Sequence, residues 1–182
     1  MLNDRPNQID NQLTCRVATV VEAPEIVALV NRAYRPVTSI RGWTHEAELV
    51  SGPRTSIERV LSHFTQNSRV LVLCKASTIV ACAHVQAAAD SVSIGMLATD
   101  PAFQNQGLGK QMLDCAERYA RIQFNASIFK LTVLLARVEL LAFYERREYV
   151  RTGDAQDYPS TLGIGQPLIE GTRVMSLCKE AG

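Results

Sequence analysis

The sequence lacks a surplus of charge of either sign. Its 19 basic and 18 acidic residues leave a formal net charge of +1 at pH 7. Proteins that bind nucleic acids or anionic membranes through their charge need a basic surplus, which is missing here. We therefore expect neither kind of partner, and any phosphate site must be local and built mostly from backbone groups.

Long apolar runs are also missing. The most apolar region, residues 70–89, is interrupted by Lys75 and by Ser77 and Thr78, which favours a two-stranded hairpin over a membrane span. Residues 1–12 are polar and contain no apolar segment of the kind that a signal peptide needs. We therefore expect a soluble protein of the cytoplasm.

Cysteine motifs are absent as well. The five cysteines form no Cys-x-x-Cys pair and show no Cys/His spacing typical of a metal site. Most of them lie in apolar runs, where cysteine usually serves as a small buried hydrophobic residue. We therefore expect reduced thiols and no bound metal.

What the sequence does contain is the pattern of a single α/β (α+β) domain of ordinary globular composition. We predict a flexible arm over residues 1–13 and one domain over residues 14–182. Hydrophobic periodicity predicts strands over 16–21, 69–74, 78–86, 91–98, 128–135, 149–152 and 173–178, and helices over 22–36, 56–64, 107–124 and 138–147. The segments 37–55 and 153–171 are predicted to be irregular.

The connections between these elements indicate the architecture. Short turns join the three strands between residues 69 and 98, which favours an antiparallel meander. The strand over 128–135 follows a long helix, so it can return parallel to the third strand of the meander. We expect a mixed, mostly antiparallel central sheet of six to seven strands with about four helices.

The helix over 107–124 is predicted to be amphipathic. Its apolar face contains Leu108, Met112, Cys115, Ala116, Tyr119 and Ile122. The opposite face contains Lys110, Asp114, Glu117, Arg118 and Arg121. The first face is expected to pack on the sheet and the second to face solvent.

The stretch from Ser93 to Met112 reads as a strand, a break, a glycine-containing loop and the start of that helix. The first turn of a helix has unpaired N–H groups that favour anions, and glycines let a ligand approach the backbone closely. The dinucleotide fingerprint fails because its third glycine position is Met112, and the P-loop fails because Gln111 follows Lys110.

The pattern that remains, Gln104-x-x-Gly107-x-Gly109, resembles the pyrophosphate-binding signature of the GNAT N-acetyltransferases, Gln/Arg-x-x-Gly-x-Gly/Ala. The preceding residues 96–101 are similar to the fourth strand of that family. Residues 141–149 look like its tyrosine-bearing helix before the sixth strand. The order of elements agrees over residues 14–179, so the resemblance implies an acyl-CoA N-acyltransferase-like fold.

The resemblance also implies an activity, with acetyl-CoA as cosubstrate and a primary amine of a small molecule or peptide as acceptor. It places the thioester arm and its oxyanion on the backbone of Leu97, Ala98 and Thr99. It places the pyrophosphate on Gln104, Asn105, Gln106, Gly107, Leu108, Gly109 and Lys110. Tyr144 would protonate the leaving thiolate, although its position also suits an ordinary core tyrosine.

The general base stays open between Glu46, His84 and water, and Trp43 and Tyr158 are candidates for the wall of the acceptor pocket. An attacking ammonium group has a pKa near 10.4 and must lose a proton before it reacts. No cysteine lies in either motif, so we expect direct transfer to the amine rather than an acyl-enzyme. A possible homodimer is compatible with the sequence.

Two positions depart from the family pattern. Arg137 stands where many members have an asparagine that contacts the cofactor, and Glu148 stands where many have a glycine. If the turn at Glu148 needs a positive φ, the strain is roughly 1 kcal/mol or more. These departures leave open a second interpretation, a non-catalytic acyl-CoA-binding or regulatory module on the same fold.

Overall fold

A computed structural model describes residues 13–36, 45–103 and 105–182. Its strands are β1 (Leu13–Val17), β2 (Val50–Ser51), β3 (Ser68–Lys75), β4 (Thr78–Ala88), β5 (Ser91–Thr99), β6 (Ile128–Leu134), β7 (Val150–Asp157), β8 (Gln166–Pro167) and β9 (Arg173–Glu180). Its α-helices are α1 (Ala23–Tyr34), α2 (Ile57–Ser62), α3 (Leu108–Phe124) and α4 (Val138–Glu145). No helix in these ranges has both the length and the apolar character to cross a membrane.

Seven of the strands form one mixed sheet in the order β1-β3-β4-β5-β6-β9-β7, and β2 pairs with β8 separately. The meander β3-β4-β5 is antiparallel, as predicted. Helix α3 connects β5 to β6, and these two strands are parallel. The remaining pairs of the large sheet are antiparallel. The predicted fold class is confirmed.

Helices cover both faces of the sheet. Val70 and Val72 pack with α1 on one face, whereas Leu71 and Leu73 pack with α3 on the other. Successive residues of a strand point to opposite faces, so a strand that is covered on both sides must be apolar throughout. This explains the near-continuous apolar composition of β3 to β5.

The prediction for the first strand is wrong. The β-branched run from Arg16 to Val21 suggested a strand there, but β1 ends at Val17 and a single 3₁₀ turn covers Val20–Glu22. The Glu22 carboxylate accepts hydrogen bonds from the backbone N–H and hydroxyl of Thr19 and forms a salt bridge with Arg16. These local bonds offer the backbone an alternative to the sheet. Because β1 begins at Leu13, that residue belongs to the sheet, and residues 1–12 lie outside the described part.

The predicted loop over 153–171 is also wrong in part. Strand β7 continues to Asp157, with an irregular register between Thr152 and Gln156, and β8 pairs with β2. Gly153 has a φ of 66° and lies within that irregularity. A glycine inside a strand often marks a bulge, so it did not end the strand here.

The prediction for the buried face of α3 is wrong in part, although Leu108, Met112, Cys115 and Ala116 are buried as expected. Glu117, assigned to the polar face, is only 6% exposed, and Ile122, assigned to the apolar face, is 68% exposed. The buried stripe is rotated toward Leu113 and Glu117. The Glu117 carboxylate accepts hydrogen bonds from the Tyr149 hydroxyl at 2.9 Å and from Lys179 Nζ at 2.8 Å. Two partners from distant parts of the chain therefore make the burial of this charge possible.

Removing the Tyr149 hydroxyl is expected to destabilise the fold. In Tyr149→Phe the buried Glu117 carboxylate loses one hydrogen bond but keeps Lys179, so we expect the free energy of unfolding to fall by about 1–2 kcal/mol. Urea denaturation followed by circular dichroism measures this change. Tyr119→Phe, which alters a half-buried ring on α3, is the matched control and is expected to be near neutral. Equal midpoints for the two variants would contradict the role of the Glu117 contact.

Candidate functional site

Strands β5 and β6 separate after a short parallel contact. Their register covers only Ser91↔Ile128, Val92↔Phe129 and Ser93↔Lys130. Within the described residues, positions 94–99 of β5 are not paired with β6. A cavity of about 810 Å³ lies at this opening and is lined by residues of both strands and of α1 and α4. Its volume is in the range of ligand sites in proteins.

A β-bulge shapes the β5 side of this cavity. The register between β4 and β5 shifts between Cys82 and His84, and Met96 has a φ of 49°. A non-glycine residue in this region is strained by about 1 kcal/mol or more. The carbonyl oxygen of Leu97 accepts a hydrogen bond of 2.9 Å from the Tyr34 hydroxyl. Strand β5 is therefore bent and held in place where it faces the opening, as bulges often do beside active sites.

The three residues predicted to hold the thioester arm differ in position. Leu97 lines the cavity, whereas Ala98 is fully buried against the cluster that contains α1. Thr99 is half-buried, and its Oγ1 atom lies 3.7 Å from the place that a Cβ on Gly109 would take. Thr99 therefore connects the end of β5 to the start of α3.

The predicted pyrophosphate loop lies at that junction. Gln104 lies outside the described residues. Asn105 and Gly107 have left-handed backbone conformations, with φ of 60° and 70°. Gln106 and Lys110 are exposed, whereas the Leu108 side chain is buried, so Leu108 can offer only its backbone. Turns that combine left-handed and helical residues direct their N–H groups into anion-binding concavities.

The start of α3 adds unpaired donors to this loop. The first N–H bonded within the helix is that of Gln111, which donates to the Gly107 carbonyl at 3.1 Å. The N–H groups of Leu108, Gly109 and Lys110 precede this bond, as at every helix start. The first turn carries no acidic residue, and a Cβ on Gly107 would meet no atom within 4 Å. The loop therefore leaves open the space that a phosphate group would need.

Tyr144 lies on the other wall of the cavity, on α4. Its side chain is 6% exposed, and the rings of Phe143 and Tyr149 contact it edge to face at centroid distances of 5.2 and 5.7 Å. Burial raises the pKa of Tyr144. The hydroxyl therefore keeps its proton at neutral pH and can donate it or a hydrogen bond.

Glu46, a candidate base, lines the cavity but is already paired. Its Oε2 atom lies 3.1 Å from Arg35 Nη1, and both side chains are almost buried. The Arg35 guanidinium also donates to the carbonyl oxygens of Tyr34, Gly52 and Ile164. Arg35 thus holds Glu46 in position and balances its charge.

His84, the other candidate base, is neutral in the fold. Its Nε2 atom lies 2.7 Å from Ser68 Oγ, and its ring stacks on His63 with a centroid distance of 3.7 Å. Burial lowers the pKa of His84 to about 3, with smaller contributions from His63 and two nearby arginines. A ring with so low a pKa is too weak a base to deprotonate an ammonium group efficiently.

The low pKa of His84 predicts a dependence of stability on pH. Below pH 6.5 the unfolded chain protonates this residue and the folded chain does not, until about pH 3. The contribution of His84 to the free energy of unfolding is therefore fully present above pH 6.5. It is lost as pH falls toward 3, by at most about 1.4 kcal/mol per pH unit. Urea titrations at several pH values measure the free energy of unfolding. We expect this free energy to change less steeply with pH in His84→Gln than in the natural protein. Parallel curves would contradict this assignment.

The two departures from the family pattern have local explanations. Glu148 has a φ of 69°, so the turn keeps the left-handed geometry that a glycine would suit, and the strain expected from the sequence is present. Arg137 is buried, and its Nη1 atom donates to the His45 carbonyl at 2.6 Å, which connects the start of α4 to the segment beside Glu46.

Of the two residues expected to shape the acceptor pocket, Trp43 lies outside the described part. Tyr158 lines the cavity, and its hydroxyl donates to the Ile164 carbonyl at 3.0 Å. Tyr34, Arg54 and Arg59 also line the cavity. Sequence reasoning missed these three because they belong to no motif and come together only when α1 packs on β5 and α2 packs on α1.

Comparison with protein families identifies this arrangement. Residues 66–151 match the model of the acetyltransferase (GNAT) domain. The matched segment, just under half of the chain, includes the meander, the loop before α3 and Tyr144. The predicted family is confirmed, and with it the enzyme class, N-acetyltransferase.

Solved structures of low sequence identity share the fold of this chain. The ribosomal-protein-S18-alanine N-acetyltransferase from Escherichia coli has a TM-score of 0.71 at 17% identity, covering 94% of this chain and 95% of that one. A spermidine N-acetyltransferase from Vibrio cholerae in complex with CoA and spermine has a TM-score of 0.68 at 15% identity, covering 94% and 97%. A putative acetyltransferase from Salmonella typhimurium with its cofactor acetyl-CoA has a TM-score of 0.68 at 14% identity, covering 94% and 95%. No curated protein matches the sequence.

Proposed function

We propose that this protein transfers an acetyl group from acetyl-CoA directly to a primary amine of a small molecule or peptide. The observation that carries this proposal is the cavity between β5 and β6, which has Leu97 on one wall and Tyr144 on the other. The similar Salmonella structure, described with its cofactor acetyl-CoA, supports the choice of cosubstrate.

The pyrophosphate of acetyl-CoA would bind the loop before α3. In the proposed site the N–H groups of residues 105–110 surround the phosphates, Lys110 adds a positive charge, and Gln104 contributes from the start of the signature. Backbone donors suit this role because they are fixed in direction and need no counter-charge. The nearly neutral chain therefore needs no large basic surface to bind a polyanion.

The thioester would lie along the free edge of β5. The backbone of Leu97, Ala98 and Thr99 would pair with the amide groups of the pantetheine arm, as an added strand does. N–H groups at the bulge would stabilise the oxyanion that develops on the thioester carbonyl. The hydrogen bond from Tyr34 to Leu97 limits movement of this segment, so the donors are already in place before the reaction.

In the proposed reaction the amine nitrogen attacks the thioester carbonyl carbon, the new C–N bond forms and the C–S bond breaks. The electron pair of the C–S bond leaves with sulfur, and Tyr144 donates a proton to the resulting thiolate. Before the attack, one proton of the ammonium group leaves to Glu46, directly or through water. A second proton leaves the nitrogen as the amide forms and returns through water to the Tyr144 phenolate. Burial raises the pKa of Cys82 to about 12, so this thiol beside the bulge does not supply a nucleophile.

The surroundings of the cavity favour a neutral amine. Burial and then the charges of Arg59 and Arg54 lower the pKa of His63. The same two guanidinium groups would lower the pKa of an ammonium group bound beside them. A strong dedicated base is therefore unnecessary, which agrees with the ion-paired Glu46 and the weakly basic His84.

We assign the reaction to the cytoplasm. All five cysteines are unpaired in the structure, which agrees with a reducing compartment.

Calorimetry with acetyl-CoA, followed by an amine panel analysed by mass spectrometry, tests the proposal. We expect binding of acetyl-CoA and release of free CoA thiol that depends on the added amine. Binding without any acetylated product would favour the non-catalytic acyl-CoA-binding module. Failure to bind acetyl-CoA would show that the assigned site is wrong.

A further inference from the structure

The cavity carries an excess of positive charge on the side where the acceptor would enter. Among the described residues, its charged lining residues are Arg54, Arg59 and Lys130 against one carboxylate, Glu46. Arg35 already balances Glu46 at 3.1 Å. The segment 37–44, which precedes Glu46, contains no acidic residue in the sequence. A polycationic amine would therefore bring its charges against those of the cavity wall.

Arg54 is held in place with its charge unbalanced. Asn31 of α1 accepts hydrogen bonds from the backbone N–H groups of Arg54 and Thr55, at 2.7 and 3.1 Å, and donates to the Thr55 carbonyl at 3.0 Å. The Arg54 guanidinium carbon lies 4.9 Å from the centre of the Tyr34 ring. Across the described residues, Arg54 forms no ion pair with a carboxylate.

Arg54 lies close to the proposed thioester site at Leu97. The ring beneath its guanidinium belongs to Tyr34, whose hydroxyl contacts the Leu97 carbonyl at 2.9 Å. One tyrosine side chain therefore separates the guanidinium from the strand end that would hold the thioester. A short molecule can reach from one to the other.

Two further polar groups lie beside Arg54. Arg59 lines the same cavity and donates through Nη1 to the Leu162 carbonyl, but it has no carboxylate partner in the described ranges. Thr55 is 3% exposed and lines the cavity, and its hydroxyl finds no hydrogen-bond partner among the described residues. A guanidinium is a fixed planar donor that matches a carboxylate in two contacts.

We propose that the acceptor is a small amine that also carries a carboxylate, an amino acid in chemical class, with the carboxylate bound by Arg54 and Arg59. This inference rests on the proposed acetyl transfer and adds the substrate class. The carboxylate would balance one of the two guanidinium charges, so one positive charge stays near the amine, which points past Tyr34 toward Leu97. The spermidine N-acetyltransferase of the same fold, by contrast, is described with spermine, a polycation without a carboxylate.

The test compares matched acceptors with the natural protein and its variants. Each of the twenty amino acids is offered with acetyl-CoA, and so is the amide of each, which keeps the amine but loses the carboxylate charge. Spermidine and putrescine form a separate arm. We expect kcat/KM for the best amino acid to exceed that of its amide and of both polyamines by about 10- to 100-fold, the range of a charged hydrogen-bonded contact.

Variants of Arg54 locate the contact. Arg54→Gln is expected to raise KM for the amino acid by about 10- to 100-fold, with little effect on KM for its amide or on acetyl-CoA affinity. The KM of Arg54→Lys for the amino acid should lie between that of the natural protein and that of Arg54→Gln, because lysine keeps the charge but lacks the planar guanidinium. Arg121→Gln is the matched control, since Arg121 also lies over an aromatic ring, that of Phe129 at 5.6 Å, but outside the cavity. It should behave like the natural protein.

The outcomes separate this inference from the proposed function. Acetylation of polyamines or amides as efficient as that of amino acids overturns the carboxylate preference and leaves acetyl transfer intact. An unchanged KM in both folded Arg54 variants and in Arg59→Gln overturns the arginine site. No acetylation of any amine, despite binding of acetyl-CoA, overturns the proposed function and this inference with it.

Discussion

Replacing Gly107 by glutamate is expected to abolish binding of acetyl-CoA, with a loss of affinity of about 100-fold or more. Gly107 precedes α3 with a φ of 70°, and the space beside its Cα is open. A glutamate would place bulk and a negative charge where the proposed pyrophosphate lies, against the first N–H groups of α3. The repulsion between the new carboxylate and the pyrophosphate costs on the order of 1–3 kcal/mol, and so does the loss of the backbone contacts. Isothermal titration calorimetry with acetyl-CoA measures the effect.

Two control variants separate charge from backbone strain. Gly107→Gln has the same bulk and the same strained φ without the charge, so it should lose less affinity than the glutamate variant. Gly109→Ala should bind almost normally, because its Cβ would lie at an ordinary contact distance of 3.7 Å from Thr99 Oγ1. Circular dichroism must first show that each variant is folded, since a side chain at φ of 70° costs about 1 kcal/mol. Normal affinity in a folded Gly107→Glu variant would remove the phosphate site from this loop.

Replacing Tyr144 by phenylalanine is expected to lower kcat by about 100-fold, the lower end of the effect of a general acid. The affinity for acetyl-CoA should stay within about twofold, because the ring that lines the cavity is kept and only the hydroxyl is lost. Burial raises the pKa of Tyr144, so the natural enzyme should show no loss of activity from tyrosine ionisation near neutral pH. Steady-state kinetics with the best amine and calorimetry with acetyl-CoA measure the two quantities.

Tyr149→Phe is the control for this experiment. Tyr149 contacts the Tyr144 ring, but its hydroxyl bonds to Glu117 and it does not line the cavity. We expect this variant to lose stability and keep its kcat. If Tyr144→Phe also kept its kcat, the proton on the leaving thiolate would come from water and Tyr144 would be a packing residue.

Sequence patterns within a single element predicted the positions of the strands and of the loop before α3 well. The alternation of strands with short turns placed the meander β3-β4-β5 within one or two residues, and the glycine spacing located the loop before α3. These features depend on local backbone preferences, which the residues of each element largely determine by themselves.

Features that depend on a distant partner were missed. Glu117 looks like a surface residue on a helical wheel, and only the Tyr149 hydroxyl and the Lys179 ammonium make its burial possible. Strand β7 extends beyond Gly153 because β9 pairs with it on both sides of the irregularity that contains this glycine. Neither partner is visible in the neighbouring sequence, so propensity alone favoured a solvent-facing charge and a loop.

By itself, the sequence determined the fold class, the family and the loop that would bind the pyrophosphate, because a glycine-containing strand-to-helix junction is a local arrangement. Only the tertiary structure decided the acceptor side of the cavity. There Asn31 and Tyr34 of α1, Arg54 before α2 and the bulge at Leu97 lie far apart in sequence. They meet because α1 packs on β5 and α2 packs on α1, and this packing places an arginine pair with unbalanced charge beside the proposed thioester site.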